Sequence, residues 1–189
     1  MSNQNNKLNI LLIFNITIRL FVICTIIAVV VSGVNFLTKE KISENQQKLI
    51  NDEIRNVFYE GEIEPVNFAA ENTSVTDVYR IIATTDNQIL GYSVICKPKG
   101  FGGEISMLVA YDYEKTISAV RIIKHSETPG IGDKIENSKQ PWFTEQFIGR
   151  SSNLTFGKDD VDKISGSSKS SAAVLKGIND ATSVISGIE

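Results

Sequence analysis

The sequence predicts an α+β protein: one N-terminal helix long enough to cross a bilayer, then a domain of antiparallel-rich sheet packed with helices. Three observations carry this. A nearly uncharged apolar run fills the N-terminus, short β-rich stretches separated by turn residues fill the middle, and a long helix-periodic stretch closes the chain. At 189 residues, with 42% hydrophobic and 22% charged content, the chain can bury a core, and wholesale disorder is excluded. The net charge is -3 and the basic residues are scattered, so no nucleic-acid footprint is present and no nucleic-acid partner is expected.

From Leu8 to Thr38 the only charged residue is Arg19, and nineteen uncharged residues separate it from Lys39. That run spans a hydrocarbon core of about 30 Å at 1.5 Å per residue. Arg19 can extend its stem toward the headgroups, and Leu8–Ile18 can lie along the interface. A cleaved signal peptide is the bland alternative, with Val31-Ser32-Gly33 as a passable site; a buried soluble helix is another. The apolar run exceeds a usual signal core, and a soluble helix is rarely apolar on every face, which favours a retained anchor. The expected division is therefore residues 1–38, with the membrane helix at about 18–37, and a folded domain at 39–189. Lys7 and Arg19 on one side balance Lys39 and Lys41 on the other, so charge alone does not orient the helix.

Lys39–Tyr59 has helical spacing of Ile42, Leu49, Ile50, Ile54, Val57 and Phe58, and Glu60-Gly61 ends it. Ile63–Asn72 reads as irregular. Strands are expected at Val75–Thr84, Ile89–Cys96, Ile105–Tyr111 and Ile117–Lys124, spaced as an antiparallel meander with one face buried. Asp86-Asn87, the Pro98–Gly103 stretch and Asp112–Lys115 supply the breaks. A Gly-rich loop, Glu127–Asp133, precedes a short helix around Trp142–Ile148 closed by Gly149. The final helix runs from about Lys169 to Ile185. Cys24 lies in the apolar run and Cys96 in a strand, so no disulfide joins them; neither stands at metal-ligand spacing, and no metal site is expected.

The most unusual local sequence is Asp162-Lys163-Ile164-Ser165-Gly166-Ser167-Ser168-Lys169-Ser170-Ser171, just before that helix. Small residues let a backbone approach an anion, the first helical N–H groups lack internal partners, and the helix dipole favours negative charge there. Five hydroxyls add donors. The same run also fits an ordinary N-cap or a flexible loop, so the residues alone leave the anion site open.

The run resembles the flavin-attachment motif of the FMN-binding domains in the RnfG and NqrC family, approximately D-x-x-S/T-G-A-T/S. Three further landmarks follow the family's order: Asn35–Ile42 after the apolar helix, Lys99–Ile105 as a G-Y-G-G-x-I segment, and His125–Ile135 as an H-x-E-T-P-G-L-G loop. Two residues depart from the pattern, with Ser167 where Ala is usual and Ser168 where Thr is usual. Serine keeps the nucleophilic hydroxyl.

The resemblance implies FMN joined through its phosphate to Ser168 by a dedicated flavin transferase. It implies a cofactor site drawn from Ser165, Gly166, Ser167, Lys169, Ser170, Ser171, Glu127, Thr128, Pro129, Gly130, Gly132, Phe101 and Gly102. Lys169 would neutralise phosphate charge or be an exposed lysine. Asp162 would position the flavin donor through a metal or cap a turn. The Thr128–Gly132 loop and Phe101 would flank the flavin, or the glycines would merely make turns, and His125 is expected to be structural. No catalytic residue is expected; the redox chemistry is the cofactor's. The implied role is an electron-transfer subunit of a membrane ferredoxin:NAD oxidoreductase coupled to Na⁺ or H⁺ translocation. Its partners would be the other subunits and membrane lipid, with a cytoplasmic N-terminus and the domain on the extracytoplasmic side. The alternatives are an NqrC-like protein, a stand-alone anchored flavin carrier, or a non-redox binding domain of the same fold.

Overall fold

The strand-forming stretches pair in the order in which they occur. The computed structural model describes residues 2–68 and 73–188, with side chains from residue 14 onward. It shows one antiparallel sheet in the order β1 (Glu62–Pro65), β2 (Val75–Ile82), β3 (Ile89–Cys96), β4 (Ser106–Asp112) and β5 (Ile117–Lys124). Helix α1 covers Ser2–Val57, α2 Pro141–Glu145 and α3 Ser168–Ser186, and a 3₁₀ turn occupies Gly132–Ile135. Two compact units result, Met1–Lys48 and Leu49–Glu189.

In the first unit every described side chain is exposed. Phe21, Ile26, Val30 and Val34 are each more than 45% accessible, and the helix is long and apolar enough to cross a membrane. A continuous apolar surface of that kind is unfavourable in water.

In the second unit the sheet is covered on both faces. Ile50 and Ile54, from the last turns of α1, pack on Ile81, Ile95, Leu108, Ala110 and Ala119. The opposite face carries Tyr92, Val94, Met107, Val109 and Tyr111 beneath Val174, Ile178 and Ala181 of α3 and Phe143 of α2. Alternation along β4 sends Met107, Val109 and Tyr111 one way and Leu108 and Ala110 the other. The expectation of a single buried face is thus corrected: the unbroken apolar runs of β3 and β4 belong to strands covered on both sides.

The second correction is β1. Its Glu62-Ile63-Glu64-Pro65 is too short and polar to stand out from the irregular stretch, yet it pairs with Tyr79–Ile82 at the sheet edge, where proline is tolerated. Beyond β1, Val66 N still bonds to Val78 O at 2.8 Å, and residues 69–72 of that stretch lie outside the described residues. The far edge, β5, is protected by side chains and loops. Asn137 accepts from Ile122 N at 2.9 Å and donates to Val120 O at 2.8 Å, imitating a strand, while Gly149 and Arg150 bond to Ile117.

Candidate functional site

Three segments far apart in sequence meet at the start of α3. One is the loop between β3 and β4, closed by Gly100 N bonding to Gly103 O at 2.7 Å and Ile105 N to Pro98 O at 3.0 Å. The second is the loop after β5, where Thr128 O accepts from the N–H groups of Ile131 and Gly132 at 3.2 and 3.0 Å and begins the 3₁₀ turn. The third is α3 itself, entered through Gly166 at φ 79° with Ser167 at the N-cap position. Together they enclose a cavity of about 400 Å³ lined by Phe101, Glu127, Thr128, Ile131, Gly132 and residues 166–170.

Most of the sequence-predicted residues reach this cavity: Phe101, Glu127, Thr128, Gly132, Gly166, Ser167, Ser168, Lys169 and Ser170 line it. Gly102 lies beneath it, its N–H donating to Glu127 Oε1 at 2.9 Å. Ser171 is fully buried and turned away, its Oγ accepting from Ile164 N at 3.1 Å. Ser165, Pro129 and Gly130 are exposed and outside the lining. Ile131, 53% accessible and on the cavity wall, falls inside the loop expected to flank the flavin but is not singled out by the sequence as a site residue. An isoleucine set amid glycines and polar residues was the signal for it.

Ser168 is the first residue of α3 and is exposed. Ser167 is its opposite: 3% accessible, with an Oγ that has no hydrogen-bond partner among the described residues and makes no cap bond. The first bond of the helix is Ser171 N to Ser167 O at 2.9 Å, so the amides of the opening turn lack helical acceptors. Lys169 Nζ sits 5.2 Å from the centroid of the Phe101 ring. At an exposed site such a contact is worth about 0.5–1 kcal/mol, little enough to be exchanged for an anion.

Behind the cavity, Glu127 N donates to His125 Nδ1 at 3.1 Å. The ring proton therefore sits on Nε2, which donates to Glu136 Oε1 at 2.9 Å. Lys139 joins Glu136 at 3.2 Å and Asp133 at 2.5 Å. The hydrogen bond from His125, then that from Lys139, holds the Glu136 carboxyl below the usual range. Lys139 does the same to Asp133, and Asp133 in turn raises Lys139. His125 orients a loop here. A second cavity, about 750 Å³, is lined by Glu53, Arg121, Lys124, His125 and Glu136 among others. It is larger, but its charges are mixed and it has no helix start. No metal-binding cluster occurs among the described residues. The Asp162 side chain is exposed, and its backbone is held in both directions by the Gln146 amide at 2.7 and 2.9 Å.

The model of the FMN-binding domain family matches residues 100–183, the stretch that supplies all three walls of the cavity. The G subunit of the proton-translocating ferredoxin:NAD(+) oxidoreductase complex of Clostridium ljungdahlii is 30% identical over 178 residues, covering 89% of each chain. The chain belongs to this G-subunit family. The G subunit of the Na(+)-translocating ferredoxin:NAD(+) oxidoreductase complex of Acetobacterium woodii is 25% identical over 189 residues, covering 88% of each chain. A family member from Haemophilus influenzae, named as the G subunit of an ion-translocating oxidoreductase complex, is 33% identical over 135 residues. The match spans 67% of this chain but only 64% of that relative's length. Among solved structures, the crystal structure of Shewanella oneidensis NqrC aligns with a TM-score of 0.44 at 22% identity, over 55% of this chain and 53% of that one.

Proposed function

We propose that this protein is the membrane-anchored flavin subunit of an Rnf-type ferredoxin:NAD oxidoreductase, and that FMN is joined covalently through its phosphate to Ser168. The observation that carries the reading is the pairing of an exposed Ser168 with an uncapped helix start beside a mostly apolar cavity.

The residues fit the group. A phosphodiester needs donors and positive potential, which the open amides of α3, the unpartnered Ser167 Oγ and Lys169 supply. A planar ring needs apolar contact, which Phe101 and Ile131 supply. In attachment, the Ser168 Oγ would form an O–P bond to the FMN phosphorus of an activated flavin donor as the P–O bond to the donor's leaving phosphate breaks, with the hydroxyl proton passing to solvent. The flavin transferase would act on an accessible hydroxyl, which favours Ser168 over the buried Ser167 as well as the motif register does. Bound FMN supplies reversible electron transfer, and the protein supplies its placement. A tether keeps the cofactor from loss on the extracytoplasmic side, where we place the domain, with the N-terminus cytoplasmic and Phe14–Val57 carrying the membrane helix. Electrons would pass between this flavin and other subunits, and the coupled ion would be Na⁺ or H⁺.

The test is to purify the protein from its native host, denature it, and look for flavin fluorescence that stays with the polypeptide. Label is expected on the wild type and absent from Ser168→Ala. A label that survives Ser168→Ala moves the attachment to another hydroxyl, and an unlabelled native protein leaves a non-covalent carrier.

A further inference from the structure

Glu127 is buried, at 5% accessibility, on the floor of a site whose other side chains are mostly exposed. Both carboxylate oxygens accept hydrogen bonds, Oε1 from Gly102 N at 2.9 Å and Oε2 from the Ser170 hydroxyl in a very short contact. Both oxygens are thus engaged by donors of the protein, one from each of two separate segments. Its backbone N is fixed by His125 Nδ1. The surrounding backbone is shaped to this one side chain. A Cβ on Gly100 would collide with Oε1, and one on Gly132 would lie 2.6 Å from Oε2 and 2.9 Å from Ser170 Oγ. Each of the three segments that wall the cavity is therefore in contact with Glu127, and among the described residues no other side chain is hydrogen-bonded to both the Phe101 loop and α3.

We propose that Glu127 is a positioning residue, which locks the loop bearing Phe101 to the helix turn bearing Ser168 and so holds a tethered flavin in one orientation. The inference rests on the attachment proposed above but assigns a separate role to a separate residue. A single bond to Ser168 leaves the ring free to swing. The Glu127 clamp fixes the wall against which it rests.

Gln at this position tests the claim directly. Its oxygen still accepts from Gly102 N and its amide donates to Ser170 Oγ, so Glu127→Gln keeps the clamp without the charge. Glu127→Ala removes both links, and Ser170→Ala removes one. The full-length chain, produced with a flavin transferase, would be read by time-resolved flavin fluorescence anisotropy. The flavin-free chain would be read by amide hydrogen exchange at Gly102 and at residues 168–171. Wild type and Glu127→Gln should show slow depolarisation and matching exchange within about twofold. Glu127→Ala and Ser170→Ala should add a fast depolarising component, and exchange at Gly102 should rise about tenfold in Glu127→Ala, the loss of roughly one charge-assisted bond. Should Glu127→Ala fail to fold, Ser170→Ala against wild type decides. Depolarisation and exchange unchanged in the folded variants, or a Glu127→Gln protein as loose as Glu127→Ala, overturn the proposal. A wild type without covalent flavin overturns the attachment and with it the orientation of a tethered ring, while the exchange data still judge the clamp.

Discussion

Two glycines of the loop after β5 have different jobs, and alanine substitution separates them. Gly132 is buried; a Cβ there would meet Glu127 Oε2 at 2.6 Å, Glu127 Cβ at 2.8 Å and Ser170 Oγ at 2.9 Å. Unstrained contacts need roughly 3.5 Å, so Gly132→Ala must push Glu127 off Ser170 or displace the loop. Overpacking costs about 1–3 kcal/mol and a lost bond to a charged group about 1.5–3. These overlap, and a net loss of about 2–4 kcal/mol is expected. Gly130, by contrast, has φ +77°, and a Cβ added there would meet nothing within 4 Å. Gly130→Ala therefore costs only backbone strain, about 1–2 kcal/mol. Asn tolerates that conformation, and Gly130→Asn should recover part of the loss. The assay is urea unfolding of the flavin-free protein together with in-gel flavin fluorescence after exposure to the transferase. Gly130→Ala should load flavin like the wild type at temperatures where it is folded. Gly132→Ala should load at least several-fold more slowly. If Gly132→Ala matches the wild type in both stability and loading, the close approach to Glu127 has no role, and the loop glycines are turn formers only.

Ser167→Ala removes an unpartnered buried hydroxyl that makes no cap bond, so the protein should be unchanged or up to about 1 kcal/mol more stable by thermal unfolding, with its flavin label intact. A comparable loss of stability would mean that the hydroxyl caps α3 in solution. Ile54→Ala, at 1% accessibility under the sheet, should cost about 2–5 kcal/mol, whereas Leu49→Ala, half-exposed on the same helix, should stay within about 0.5 kcal/mol in the same denaturation series. Asp133 and Glu136 are held below their ordinary values of 3.8 and 4.5 in the folded state, so what they contribute is complete above those values and lost as the pH falls below them. Acid titration followed by circular dichroism should show this loss, and Lys139→Ala should reduce it.

What the sequence made legible was whatever depends on neighbours along the chain. The limits of β3 and β5 follow from apolar β-branched runs between turn residues, and α3 from its 3.6-residue period. β1 was invisible because a four-residue polar edge strand has no period to read, and its pairing with β2 is a tertiary fact. Burial on both faces was written in the runs of β3 and β4, but only the packing of Ile50 and Ile54 shows what covers the second face. At the site, the serines and loop glycines stood out one by one. Their convergence on Glu127 did not, because its partners lie 25 and 43 residues away, and nothing local distinguishes a clamped glutamate from a solvated one.

The start of α3 breaks three rules of helix design at once. Its N-cap serine makes no side-chain bond, its first turn contains no acidic residue, and Lys169 places a positive charge where the dipole disfavours it. Each departure costs on the order of 0.5–1 kcal/mol in an isolated helix. A helix selected only for stability would remove the last two with one Asp at the exposed Lys169. The phosphodiester proposed at Ser168 would answer all three together: it would accept from the open amides, supply the missing negative charge, and give Lys169 a partner better than the face of Phe101. Local rules that fail together at one place, beside a cavity with an apolar wall, favour a functional origin over chance. The buried Glu127 then has a second consequence. By occupying the Ser170 hydroxyl it withdraws that group from competition, leaving Ser168 as the exposed hydroxyl of the turn, and so narrows the choice among adjacent serines that the motif alone left to register.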